Sequence, residues 1–333
     1  MTTRRSLTLV AALSVGLVLS TSTSALTWSA LDLGTFGGST LDGPATGINA
    51  SEQVVGTAFT PSAHAFITGP NGVGMTDLGT LGGSFSRATS VNAFGQVVGY
   101  ATTLNGDSHA FITGPNGVGM TDLGTLGGSS SNANGINASG QVVGIATTLN
   151  GDSHAFITGP NGIGMTDLGT LGGSSSIARG INSSGQVVGS AQTGNAFHAF
   201  ITGPNGVGMT DLGTLGGSSS NANGINASGQ VIGTVRTLSG DSHAFITGPN
   251  GIGMTDLGTL GSSSVTIAYG INSFGQVVGT AYSTFSGNGP PPGPLGPRHA
   301  FITGPNGVGM TDLNSLLTLP GRGWNYFHTA VRQ

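Results

Sequence analysis

Through most of its length the chain alternates short apolar runs with clusters of Gly, Asn, Ser and Pro. Between Asp122 and Asp167 the apolar segments are built on GIN, QVVGIA, HAFITG and IGMTDLGTL, each of strand length. None holds an apolar face at helical spacing long enough to make a helix. Three turn signals separate them: Asn-Ala-Ser-Gly at 137–140, Asn-Gly-Asp at 150–152 and Pro-Asn-Gly at 160–162. Strands joined by such tight turns are antiparallel, because a parallel neighbour needs a crossover of about a dozen residues or more.

The pattern recurs. DLGT begins at Asp32, Asp77, Asp122, Asp167, Asp211 and Asp256, and a DLN variant begins at Asp312, giving intervals of 45, 45, 45, 44, 45 and 56. A fixed period of this size marks a repeat architecture in which each unit buries its apolar face against the next. The expected fold is all-β: a β-propeller of six four-stranded blades of about 45 residues each, with an incomplete seventh built from the two chain ends. A β-solenoid with two coils per period is the alternative. Against it stands the Asn-Gly hairpin signal in each unit, since solenoid coils turn without reversing the strand. The His-to-Asp distance across this hairpin is 13 in every unit, from His64 to Asp77 through His299 to Asp312, as a fixed register requires.

Residues 1–25 have the form of a signal peptide: a basic start, MTTRR, an apolar run, SLTLVAALSVGLVLS, and small residues ending at Ala25. The run is shorter than the roughly 20 residues that span a bilayer, so no retained anchor is expected. Arg4 and Arg5 make only a partial twin-arginine motif, and ordinary secretion is the default. Residues 26–333 then form a single repeat domain. A Gly/Pro-rich insertion at 285–298 accounts for the long last interval and is expected to project as a loop.

Composition narrows the function. The 8 basic side chains are all Arg, against 12 acids, so no basic patch invites nucleic acid or an anionic membrane. With no Cys there are no disulfides, thiolate metal sites or cysteine nucleophiles. Glycine is abundant, at 63 residues, but Gly and Pro together stay just below the level of unstructured low complexity.

INxxGQVVG, HAF and DLGTLGG, in that order, resemble the HAF-type extracellular repeat proteins of bacteria, over nearly all of residues 26–333. The resemblance implies an exported repeat protein with a propeller fold and brings no established activity with it. Relatives commonly continue past a Gly-Trp pair, here Gly323 and Trp324, into another INxxGQ segment, whereas this sequence reads on to Gln333 without one.

Several motifs invite chemistry and are better read as structure. Gly69 to Thr76 fits a phosphate-binding loop except that Met75 replaces the Lys, and no helix follows. DLGT is a poor match to the Asp-box of sialidase-type propellers and is read as a turn held by its Asp. His64, His109, His154, His198, His243 and His299 stand one per unit, too far apart to share an ion, and are assigned to pairing within each blade. Seven acids lie in DLG or DLN, and Asp107, Asp152 and Asp241 lie in equivalent turns; only Asp42 and Glu52 are unique. That pair is the one candidate for acid and base of a glycan-active enzyme. Arg87, Arg179, Arg236 and Arg298 are scattered over different units. The expectation is a secreted, non-enzymatic binding or surface structural module without cofactor or metal, whose partner is an unidentified extracellular ligand such as a glycan or matrix protein. Its core is expected to be built on Phe66, Phe111, Phe156, Phe200, Phe245 and Phe301.

Overall fold

A computed structural model of the chain describes residue 33 and residues 44–59, 62–261, 265–282 and 298–316. Six antiparallel four-stranded meanders follow one another, at residues 45–77, 82–122, 127–167, 176–211, 216–256 and 265–312, here blades 1 to 6. In blade 3 the strands are Gly127–Ile136, Val142–Thr148, Ser153–Thr158 and Met165–Asp167. The first strand of each blade lines a shared axial cavity, to which all six contribute. The first strand is thus the inner one and the Met-Thr-Asp strand the outer one, as in a propeller.

All three turn signals fall between strands as their sequences predict. The strand lengths differ from expectation. The inner strand of blade 3 runs for 10 residues and takes in GGSSS, whereas the outer strand has only 3. Serine lacks the apolar signature of a buried strand, yet Ser131 is buried, with 2% exposure. Its hydroxyl accepts from the Ala110 N–H of blade 2 at 2.8 Å and donates to the Gly124 carbonyl in the connection between the blades. Ser86, Ser176, Ser220 and Thr266 repeat this link to the preceding blade. A small hydroxyl satisfies two backbone groups that neither sheet ladder reaches.

The core lies between blades. Val98, Ala110 and Ile112 of blade 2 pack on Ala133, Val142, Ala146 and Phe156 of blade 3, flanked by Leu123, Leu126 and Met165. The six repeated Phe residues are at most 2% exposed, as their periodicity predicts. Gly144 occupies the closest approach of inner and second strands, where a Cβ would strike the Asn132 carbonyl and the Phe156 ring. Nearer the axis, the Asn of each of blades 1 to 5 donates its amide to the next blade: Asn92 to the Asn137 carbonyl at 3.2 Å and Asn137 to that of Asn182 at 3.1 Å. A Gln in each of blades 1 to 5 adds a second link, such as Gln141 Nε2 to Asn205 Oδ1 at 3.1 Å. Interblade contact is therefore an apolar cluster with a buried hydroxyl link on one side and amide hydrogen bonds at its inner edge.

The INxxGQ and Pro-Asn-Gly turns share one face of the ring, because Asn161 N–H donates to Ser139 O and Gly162 N–H to Gly140 O. The hairpins between second and third strands lie at the opposite ends of those strands, on the other face.

Five junctions repeat this design. At the forward side of blade 6, Val278, Ala300 and Ile302 are only partly buried, and among the described residues the Asn272 amide bonds only its own Gln276. On blade 1, Leu33 packs against Val54, Ala58 and Phe66 in the seat that Leu78 takes beside Val97, Ala101 and Phe111 of blade 2. Blade 6 therefore does not stand before blade 1 as blade 1 stands before blade 2. The signal segment, the insertion up to residue 297 and, apart from Leu33 and residues 313–316, the chain ends expected to form a seventh blade lie outside the described residues.

Candidate functional site

The residue before each Gly-Ile-Asn, or its Ser-Val-Asn equivalent in blade 2, points at the axis. These residues are Thr46, Thr89, Asn134, Arg179, Asn223 and Tyr269, and all six line one cavity of about 400 Å³. Alternation along the inner strand places them there: Ala88, Ala133 and Ala178, on the opposite side, are fully buried between blades. Ile136, Ile181, Ile225 and Ile271 supply its apolar wall. A shallower recess of about 270 Å³ on the INxxGQ face, lined by Asn182, Ser183 and Ala227 among others, opens at the end of the same strands.

Four of the six side chains are held by the next inner strand. Thr46 and Thr89 hydroxyls donate to the carbonyls of Ala88 and Ala133, each at 2.8 Å. Asn134 and Asn223 amides donate to those of Ala178 and Ala268, at 2.8 and 2.9 Å. Arg179 instead turns to its own blade, where Nη1 donates to the buried Ser190 hydroxyl at 2.9 Å. Among the described lining residues Arg179 is the only one with a formal charge.

This site was not among those singled out by sequence reasoning, which noted Arg179 only as one of several scattered arginines. A signal exists, because the residue preceding Gly-Ile-Asn changes from unit to unit while the neighbouring Ala and Asn recur. Its meaning depends on which side of the strand faces the axis, and the serine-rich half of that strand hid its full length.

The six His residues each place Nδ1 at 2.7 or 2.8 Å from the Asp 13 positions on. The same Asp accepts the N–H two residues later, as from Gly169 to Asp167 at 2.7 Å. Each pair ties the third strand to the outer strand and its turn within one blade. Glu52 is exposed on the INxxGQ face, at φ 59°, where the other five units have Gly; Asp42 lies outside the described residues. The two are therefore not brought together by any described geometry. The Gly-Pro-Asn-Gly segments are tight turns with Asn at φ 54° to 58°. Their N–H groups are engaged by the adjacent turn, unlike those of a phosphate-binding loop. On the same face Phe94 and Phe274 are 61% and 70% exposed, at a position where the other blades have Ser.

No family model matches the chain, and no curated protein matches it. Solved structures do. The β-propeller domain of the Trilobed protease from Pyrococcus furiosus, described as having an open velcro topology, is 9% identical with a TM-score of 0.53, covering 82% of this chain and 84% of that one. Puromycin hydrolase is 14% identical with a TM-score of 0.53, covering 79% of this chain. TolB from Acinetobacter baumannii, 14% identical over 77% of this chain, superposes less closely, with a TM-score of 0.48. This chain spans 44% of the puromycin hydrolase chain and 61% of the TolB chain. At such identities the likeness shows the fold, a β-propeller, and no more.

Proposed function

We propose that this chain is an exported propeller of the HAF repeat kind that binds an extracellular ligand in its axial channel and does not catalyse its turnover. Export follows from the signal-like segment 1–25, and the described residues contain no helix long and apolar enough to cross a membrane. One observation carries the channel assignment. Units that repeat their interblade residues almost unchanged place Thr, Thr, Asn, Arg, Asn and Tyr at a polar position that faces the shared cavity. Packing alone would be served by six copies of one residue. Polar groups converging on a concave site are the usual form of a binding pocket.

The test is a glycan and matrix-protein array probed with the purified protein and with the Asn134→Tyr/Asn223→Tyr variant. Tyrosine already occupies this position in blade 6, so the variant narrows the channel with a side chain the repeat accommodates. Array binding lost in the folded variant supports the channel; undiminished binding places the ligand elsewhere. Turnover of an array hit, abolished by Glu52→Gln, would instead favour a glycan-active enzyme.

A further inference from the structure

The face that carries the INxxGQ and Pro-Asn-Gly turns has a second regularity, independent of the channel. Each Pro-Asn-Gly is followed by Val or Ile and then Gly, and these residues, Val73, Val118, Ile163, Val207, Ile252 and Val308, are all between 69% and 74% exposed. The turn does not require them. It is closed by the backbone N–H of this residue on the Pro carbonyl, as from Ile163 to Pro160 at 3.3 Å, a bond indifferent to the side chain. Threonine has the same β-branched preference for extended backbone and is content in water. Two residues on, Met165 packs against the core, while Ile163, across the left-handed Gly164, is left in solvent. Phe94 and Phe274 add to the same face at 61% and 70% exposure. Single exposed apolar residues are ordinary, but one at the same place in each of six blades makes a patch.

Charge separates the two faces. Among the described residues Glu52 is the only charged side chain in the turns of this face. Acids gather at the other one: Asp107, Asp152 and Asp241 in the hairpins between second and third strands, and the DLG Asp where each outer strand ends. The chain is acidic, at a formal charge of −4, so two copies meeting through their hairpin faces would bring like charges together, whereas the turn faces meet without that cost. We infer that the turn face is an interface between two copies of this chain, docked ring on ring. A two-fold contact needs a patch that complements itself, and equal knobs at one radius and one step match those of a copy turned over upon them. Each knob has space beside it, since a Cβ at Gly164 or its five equivalents would meet nothing within 4 Å. Eight side chains exposing roughly 100 Å² each reach the scale of about 800 Å² per partner that a stable interface buries. A lipid surface fits less well, because short β-branched side chains on a flat face do not reach the acyl region and no Lys or Arg stands in these turns to meet headgroups.

Sedimentation velocity of the purified protein over a concentration series tests this, and a reversible dimer is expected. Val118→Glu/Ile163→Glu buries like charges in the contact and should weaken the dimer about a hundredfold. Val118→Thr/Ile163→Thr keeps the β-branched shape without the apolar surface and should weaken it about tenfold. Leu149→Glu, on the hairpin face, should leave it unchanged, and circular dichroism should show all three variants folded. A monomer at every concentration would overturn the inference. So would a dimer that survives in the folded Glu variant, which would then be held by another surface such as the forward side of blade 6, or one that Leu149→Glu disperses equally. Flotation of the protein with phosphatidylcholine vesicles, lost in the Glu variant, would make the face a membrane surface and overturn it as well. None of these results depends on whether the channel binds a ligand.

Discussion

Phe156 shows how a single residue type carries this fold. Its ring is fully buried between blades 2 and 3 among Val98, Ile112, Ala133 and Val142. Truncation to Ala should cost about 3–5 kcal/mol, read as a lower midpoint in chemical denaturation. An unchanged midpoint would put the ring outside the core. The INxxGQ glycine is the backbone counterpart. Gly140 has φ 76°, and a Cβ would lie 2.8 Å from the Asn161 nitrogen. Gly140→Ala should therefore destabilise by about 1–3 kcal/mol. Glu52 departs from that rule in blade 1 at φ 59°. Returning it to the repeat's residue, Glu52→Gly, should raise stability by about 1 kcal/mol, since an L-residue bears a penalty of that order in the left-handed region. Urea unfolding of both variants checks the pair, which should move in opposite directions. The apolar residues and the Asp of each turn were legible at this scale because their roles are local. Arg179 was not, since nothing local separates an axial arginine from a solvated one.

At the scale of the element, the strands built on Val, Ile and Phe were read from their sequences and the serine-rich half of the inner strand was missed. Ser131 explains the miss: its value lies in bonds to Ala110 and Gly124 of the preceding blade and connection, which no strand pattern encodes. Ser131→Ala leaves a buried N–H and carbonyl without that partner and should cost about 1–3 kcal/mol. Blade position matters as well. Ile157 is 4% exposed at the forward side of blade 3, whereas its equivalent Ile302 on blade 6 is only partly buried. Replacement of Ile157 by Ala should cost about 2–5 kcal/mol, and the same change at Ile302 clearly less. Equal costs would show that blade 6 is covered as fully as the interior blades.

The whole molecule is a row of near-identical blades curved about an axis, and its fold was accessible from the period alone, because each unit needs a neighbour to bury its face. The junction beyond blade 6 was foreseen only as an incomplete seventh blade. Leu33 seated on blade 1 in the place of a preceding blade's leucine fits a position left between blades 6 and 1. Symmetry also accounts for why function is hard to read: residues present six times hold the ring, and those that differ face its centre or its tips. Hydrogen–deuterium exchange with a ligand identified on the array tests this most directly. Binding in the channel predicts added protection along the inner strands around Asn134, Arg179 and Asn223. Protection confined to the exposed hairpin tips at Leu149 and Leu238, with the inner strands unchanged, would contradict it.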